Sequence, residues 1–313
     1  MRFLGVLLIL AIAVVESSCQ ISQQYPPPWE TSKKQQNPRK TPAQQQPQKT
    51  YNTNGLVPAR PLARPRGIAP QPNCAAVCVI DPRTGNVIYA HNAHARRQVA
   101  STQKIVTALC ISDIGNLNKW VTIAEEDAKA PPIKLGLKPG TRYRRGDLLR
   151  VMLTGSYNDV ALTLARDAAG SVDAFVARMN ARARRMRMYD SHFANPNGLP
   201  AEQYSTAYDM ALAACYAYNN PIIRKCINIP QFTFRLADGK EREIKSTNKL
   251  LKEHSWVQGM KTGYTKAAGK CLISCASMNG QGVIVVVLGS TPDKIWNESL
   301  KYLRWALNLS PNA

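Results

Sequence analysis

Ser101 and Lys104 stand three residues apart, the spacing at which a lysine can arm a serine. On a helix, positions three apart share a face, so the lysine nitrogen reaches the serine oxygen. A serine hydroxyl is a weak nucleophile until a base takes its proton. Lysine is that base only when burial or a neighbouring cation depresses its pKa. A helix start also presents backbone N–H groups to an oxyanion. The chemistry on offer is acyl transfer through a serine ester.

Spacing alone is weak support. Ser246-Thr247-Asn248-Lys249 repeats it, and Ser-x-Asn occurs at Ser156-Tyr157-Asn158, Ser246-Thr247-Asn248 and Ser277-Met278-Asn279. Singly, each reads as a helix cap or turn. Order is more specific: Ser101/Lys104 comes first, then Ser156/Asn158, then Lys261-Thr262-Gly263, the one Lys-Thr-Gly in the chain.

These groups need elements to hold them. Cys74 to Ile80 and Asn86 to Ala90 flank Asp81-Pro82-Arg83-Thr84-Gly85, which predicts a β-hairpin. Apolar residues recur at helical spacing from Thr102 to Ile114, and again over Leu148–Thr154, Val160–Ala169, Val172–Met188 and Thr206–Tyr218. Phe232–Leu236 and Glu241–Lys245 flank Asp238-Gly239. Gly259–Thr265, Cys271–Ser277 and Val283–Gly289 read as a three-strand meander, followed by a helix over Asp293–Leu307. Strands open and close the domain, with helices between them. The expected fold is α+β: one antiparallel sheet of five strands built from both ends of the chain, covered by helices, with a helical lobe beside it.

The first 19 residues read as a secretory signal: Met1-Arg2, an apolar run from Phe3 to Val15, then Ser17-Ser18-Cys19. Cys19 is a candidate lipid-attachment site, although Glu16 stands where such signals usually have an apolar residue. Residues 20–66 are rich in Pro and Gln, with eight Lys or Arg against one acid, Glu30. That composition predicts a disordered basic tether, a candidate membrane attachment at the N-terminus, ahead of a folded domain over 67–313. The chain carries net charge +21. Nucleic acid is disfavoured, because the export signal removes the chain from it and no basic–aromatic interleaving is present. Anionic envelope polymers are the expected counter-charge, in the periplasm or cell envelope.

Eight cysteines are present, and those after Cys19 are odd in number. Most read as small buried core residues; Cys215–Cys226 is the first pair to test for a bridge. The Cys-x-x-x-Cys pairs lie in apolar strands without a His neighbour, so no metal is expected.

The ordered set resembles the three motifs of penicillin-binding proteins and serine β-lactamases. Val99–Lys104, Gly155–Ala161, Phe193–Leu199, Tyr204–Ala211 and Gly259–Thr265 are similar to the D-alanyl-D-alanine carboxypeptidases, over about residues 70–310. The resemblance implies removal of the terminal D-alanine from peptidoglycan stem peptides ending in D-Ala-D-Ala, with β-lactams as covalent inhibitors and no cofactor. It implies that Ser101 attacks, Lys104 takes its proton, and Ser156, bridged to Lys104 and Lys261, protonates the departing D-alanine. Asn158 would hold the substrate amide and Lys104, while Lys261 and Thr262 would meet the terminal carboxylate. Gly263 would admit the substrate backbone, and the N–H groups of Ser101 and Tyr264 would form the oxyanion hole. Thr247 falls where some relatives place a carboxylate-binding arginine.

Three alternatives stay open. A D,D-endopeptidase on the same scaffold would use the same site. A serine β-lactamase is disfavoured because no Glu-x-x-x-Asn stretch follows Asn158. A non-catalytic wall-binding protein would not require all three motif sets.

Overall fold

The computed structural model describes residues 60–310. The signal, Cys19 and residues 20–59 of the expected tether lie outside the described residues.

An antiparallel hairpin of β1 (Ala76–Ile80) and β2 (Val87–His91) opens the domain. A 3-10 turn (Ala100–Gln103) leads into α1 (Lys104–Ile114). A small ribbon of β3 (Trp120–Thr122) and β4 (Arg142–Arg144) encloses α2 (Glu125–Ala128). The helical block continues through α3 (Arg145–Gly155), α4 (Asn158–Ala169), α5 (Val172–Arg185), α6 (Ala207–Asn219) and α7 (Pro221–Ile227). Its boundaries have local causes. Ser171 and Thr206 cap α5 and α6 by accepting from Ala174 N and Asp209 N, and Asn220 caps α7 just before Pro221. A second ribbon, β5 (Gln231–Arg235) and β6 (Glu241–Lys245), precedes α8 (Leu250–Glu253). The meander β7 (Val257–Thr265), β8 (Gly269–Met278) and β9 (Gln281–Ser290) and then α9 (Ile295–Ala306) complete the described domain.

The main sheet has the order β2-β1-β9-β8-β7, all antiparallel. Its first hairpin therefore docks beside its last strand, as the sequence pattern predicts. The middle strands are apolar at nearly every position because both faces are covered. Ala76, Cys78 and Ile80 of β1 pack into the core shared with α1 and α6. Val77 and Val79 face Tyr302 and Leu303 of α9. β7 is an edge strand, which leaves one side open to the helical lobe.

Two expectations change. Cys215 and Cys226 are free thiols, as are the other five described cysteines. Both pack in the helical-side core as small apolar groups, and burial holds their thiol pKa values above the ordinary range. Residues 60–66, assigned to the tether by composition, lie along the domain. Arg60 N donates to Gly280 O at 2.9 Å, Leu62 N to Asp81 Oδ2 at 3.0 Å and Arg66 N to Asn308 Oδ1 at 2.6 Å. Composition registers the scarcity of apolar surface; it does not register backbone bonds to distant partners.

Candidate active site

Ser101 sits in the 3-10 turn and Lys104 is the first residue of α1. Lys104 is fully buried. Its Nζ lies 2.9 Å from Ser101 Oγ, 2.9 Å from Asn158 Oδ1 and 2.6 Å from the Asn197 carbonyl. Amide and carbonyl oxygens only accept. Two of those contacts therefore take N–H donors, so that in the neutral amine the lone pair is left for the Ser101 hydroxyl. Burial pushes Lys104 well below the ordinary lysine range; the charge of Lys261 pushes it further and Asp159 opposes in part. The Ser101 hydroxyl also lies 3.1 Å from the Asn197 carbonyl, so two acceptors compete for its proton.

The turn carrying Asn197 is tightly fitted. Asn195 Oδ1 accepts from Gly198 N at 2.8 Å, and its backbone carbonyl accepts from Gln103 Nε2 at 2.6 Å. Gly198 has φ +84°, and a Cβ there would come 2.2 Å from the Ala100 carbonyl. Only glycine permits that conformation and that approach.

Asn158 opens α4 and is buried. While its Oδ1 meets Lys104, its Nδ2 donates to the Pro132 carbonyl at 2.7 Å and its backbone N to the Ile133 carbonyl at 2.8 Å. The same loop is clasped by Asp159, whose carboxylate accepts from Leu135 N, Gly136 N and Leu137 N at 3.0, 2.8 and 3.3 Å.

Ser156 is the C-cap of α3, with φ 67° and ψ 21°. Its Oγ accepts from Lys261 Nζ at 2.8 Å, and Lys261 also donates to the Thr262 carbonyl at 3.0 Å. The expected bridge from Ser156 to both lysines is thus made to Lys261 alone, because the hydrogen bonds of Lys104 go to Ser101, Asn158 and Asn197. Lys261 is fully buried, and burial lowers its pKa to about 7. Its charge depresses Lys104, whereas Lys261 itself is shifted by burial alone. The pair therefore favours a neutral Lys104 beside a charged Lys261.

Along β7, Thr262 Oγ1 donates to Thr247 Oγ1 at 2.6 Å. A Cβ on Gly263 would stand 2.9 Å from Ser101 N, which puts this strand directly against the reactive turn. Tyr264, next in the strand, leaves its side chain largely in solvent. All eight residues singled out from the sequence thus lie on one connected site or on the strand that borders it. Asn197, Asp159 and the Thr247–Thr262 contact were missed. Asn197 contributes a backbone carbonyl, which no side-chain pattern reveals; its one signal was the Phe193–Leu199 stretch, through its resemblance to the D-alanyl-D-alanine carboxypeptidases. His192 makes backbone bonds with Tyr204 and takes no part.

A family profile described as D-alanyl-D-alanine carboxypeptidase, peptidase S11, matches residues 66–292. The chain is similar to D-alanyl-D-alanine carboxypeptidase DacF of Bacillus subtilis, with 32% identity over 74% of this chain. It spans 61% of the length of that relative. It is also similar to a D-alanyl-D-alanine endopeptidase of Pseudomonas aeruginosa, with 30% identity over 67% of this chain and 69% of the relative. Among solved structures, a D-alanyl-D-alanine carboxypeptidase from Mycobacterium tuberculosis superposes with a TM-score of 0.74 at 30% identity, covering 80% of this chain and 98% of that one. With the motifs joined in one site and the profile matching most of the chain, this protein belongs to the D-alanyl-D-alanine carboxypeptidase family, peptidase S11.

Proposed function

We propose that the protein is a serine D,D-carboxypeptidase that removes the terminal D-alanine from peptidoglycan stem peptides through an acyl-enzyme. The observation that carries this reading is the buried Lys104 Nζ, 2.9 Å from Ser101 Oγ, where burial and the charge of Lys261 push its pKa well below the ordinary lysine range.

Ser101 Oγ attacks the penultimate D-alanine carbonyl while its proton passes to Lys104. The N–H groups of Ser101 and Tyr264 stabilise the oxyanion. Ser156 delivers a proton to the departing D-alanine nitrogen and is resupplied through Lys261, its hydrogen-bond partner. The charge of Lys261 and the hydroxyl of Thr262 hold the terminal carboxylate. Asn158 orients Lys104 and the substrate amide. Water then hydrolyses the ester: its hydroxyl joins the acyl carbon of the departing stem, Lys104 returns its proton to Ser101, and the proton released by the water restores Lys261 through Ser156. β-Lactams acylate the same serine. The chain acts in the cell envelope after export, tethered through its basic N-terminal segment. No cofactor takes part in these steps.

Mass spectrometry of purified protein with a stem peptide ending in D-Ala-D-Ala tests the reading. One D-alanine should leave, and Ser101→Ala should abolish the loss. Intact peptide with the unaltered enzyme would reject it. Similarity to the Pseudomonas endopeptidase favours a second reading, cleavage of cross-links at the same site. Release of monomers from cross-linked wall fragments, faster than D-alanine release, would select it.

A further inference from the structure

Beside the Ser156-Tyr157-Asn158 turn, a guanidinium stands at the edge of the site without an acidic partner among the described residues. Arg242, on β6, reaches across to the lobe and donates from Nη1 to the Leu135 carbonyl. Its guanidinium carbon lies 6.0 Å from the centroid of the Tyr157 ring. Both contacts belong to the wall that positions Asn158: Leu135 N is held by Asp159, and Pro132 and Ile133 accept from Asn158 itself. The Tyr157 ring has a fixed place, since a Cβ on Gly155 would come 2.2 Å from its edge.

Arg242 is solvent-exposed, and no described carboxylate forms an ion pair with it. Its neighbours Glu241 and Glu243 point to the opposite face of the ribbon. Glu243 pairs with Lys245 at 2.7 Å. One guanidinium nitrogen is fixed on Leu135, which leaves the rest of the fork for a planar anion. Lys261, by contrast, is buried and occupied with Ser156. The two cations thus differ in place and in task.

We propose that Arg242, backed by Tyr157 and the Leu135 loop, is a second recognition subsite that takes a side-chain carboxylate of the stem peptide, distinct from its C-terminal one. This rests on the proposed activity and names a further feature of the substrate. Arg242 is a substrate-binding residue: it holds the stem equally before and during the reaction, and it does not touch the reacting atoms.

Two synthetic stem peptides test it, both ending in D-Ala-D-Ala and identical except that one side-chain carboxylate is a carboxamide in the second. D-Alanine release gives kcat and KM for each. The unaltered enzyme should show a KM about tenfold lower for the acid, as for a charge-assisted bond at an exposed edge, shrinking as salt is raised. Arg242→Gln should abolish the roughly tenfold KM preference for the acid over the amide, beyond any change common to both peptides from losing the Leu135 contact. Arg242→Lys should keep part of the preference, because charge remains without the fork. Equal losses on both peptides would assign Arg242 to holding the Leu135 loop alone and overturn the proposal. So would an unaltered enzyme that treats the two peptides alike, a result that needs no variant to fold. An enzyme inert towards both peptides would reject the carboxypeptidase reading itself, and the subsite with it.

Discussion

Lys104 and Lys249 each stand three residues after a serine, and the two places could hardly be less alike. Lys104 is sealed beneath the lobe, with its nitrogen on Ser101 Oγ, Asn158 Oδ1 and a backbone carbonyl. Lys249 precedes α8 with its side chain in solvent and its nitrogen 5.8 Å from the centroid of the Trp296 ring. Ser246 Oγ accepts from Asn248 N at 3.2 Å, an ordinary turn contact. The spacing is common to both; the desolvation and the second lysine are found at one. Chemistry here follows from the surroundings of the motif.

The largest test of that comparison replaces each lysine. Lys104→Met should slow acylation of Ser101 by a labelled penicillin about a thousandfold, the scale of a positioned general base. Lys249→Met should leave the rate within about twofold. Equal effects would break the comparison.

Gly263→Ala sharpens it by disturbing the reactive turn from the opposite side. A Cβ 2.9 Å from Ser101 N forces the strand or the turn to move. Penicillin acylation should fall by about a hundredfold, as expected when a nucleophile is displaced by a fraction of an ångström to an ångström. Melting measured in parallel should show a loss of about 1–3 kcal/mol.

The pH dependence isolates the second lysine. kcat/KM should rise as Lys104 loses its proton, far below the usual 10.5, and fall as Lys261 loses its own near pH 7. In Lys261→Met the rising limb should move to higher pH, because the charge that depresses Lys104 is gone. Stability carries the same signature. Below about pH 7 both the folded and unfolded states hold the Lys261 proton, and the fold bears a buried charge. Between about 7 and 10.5 only the unfolded state keeps it, so stability should climb with pH across that window. Urea titrations at pH 7, 8.5 and 10 should show the climb in the unaltered protein and a weaker one in Lys261→Met.

The smallest effect is expected at Thr247→Val. It removes a 2.6 Å hydroxyl contact at a partly solvated position. KM for the stem peptide should rise about threefold or less, with kcat unchanged.

Much of the fold was legible because long apolar periodicities leave little choice. The meander and the opening hairpin read as strands, and α1, α3, α4, α5 and α6 read as helices within a few residues. The short elements were not read. The β3–β4 ribbon has three residues on each side, too few for a period to show, and its Trp120 and Arg144 pair only across the chain. α2 and α8 have four residues each and are held by their surroundings. In the site, Ser101, Lys104, Ser156, Asn158 and Lys261 were legible because their side chains make its contacts. Asn197 was not, because it acts through its backbone.

The sequence by itself determined which residue types were present, in what order along the chain, and which segments were apolar enough to become strands or helices. Those are local properties, written in side-chain identity and period. Tertiary structure decided which of two identical spacings set a lysine nitrogen on a serine hydroxyl, 2.9 Å away. That choice depends on removing water from one lysine and setting another cation behind it, 157 positions later in the chain. Burial and Coulomb interaction act through space, so only the closed fold could assign them.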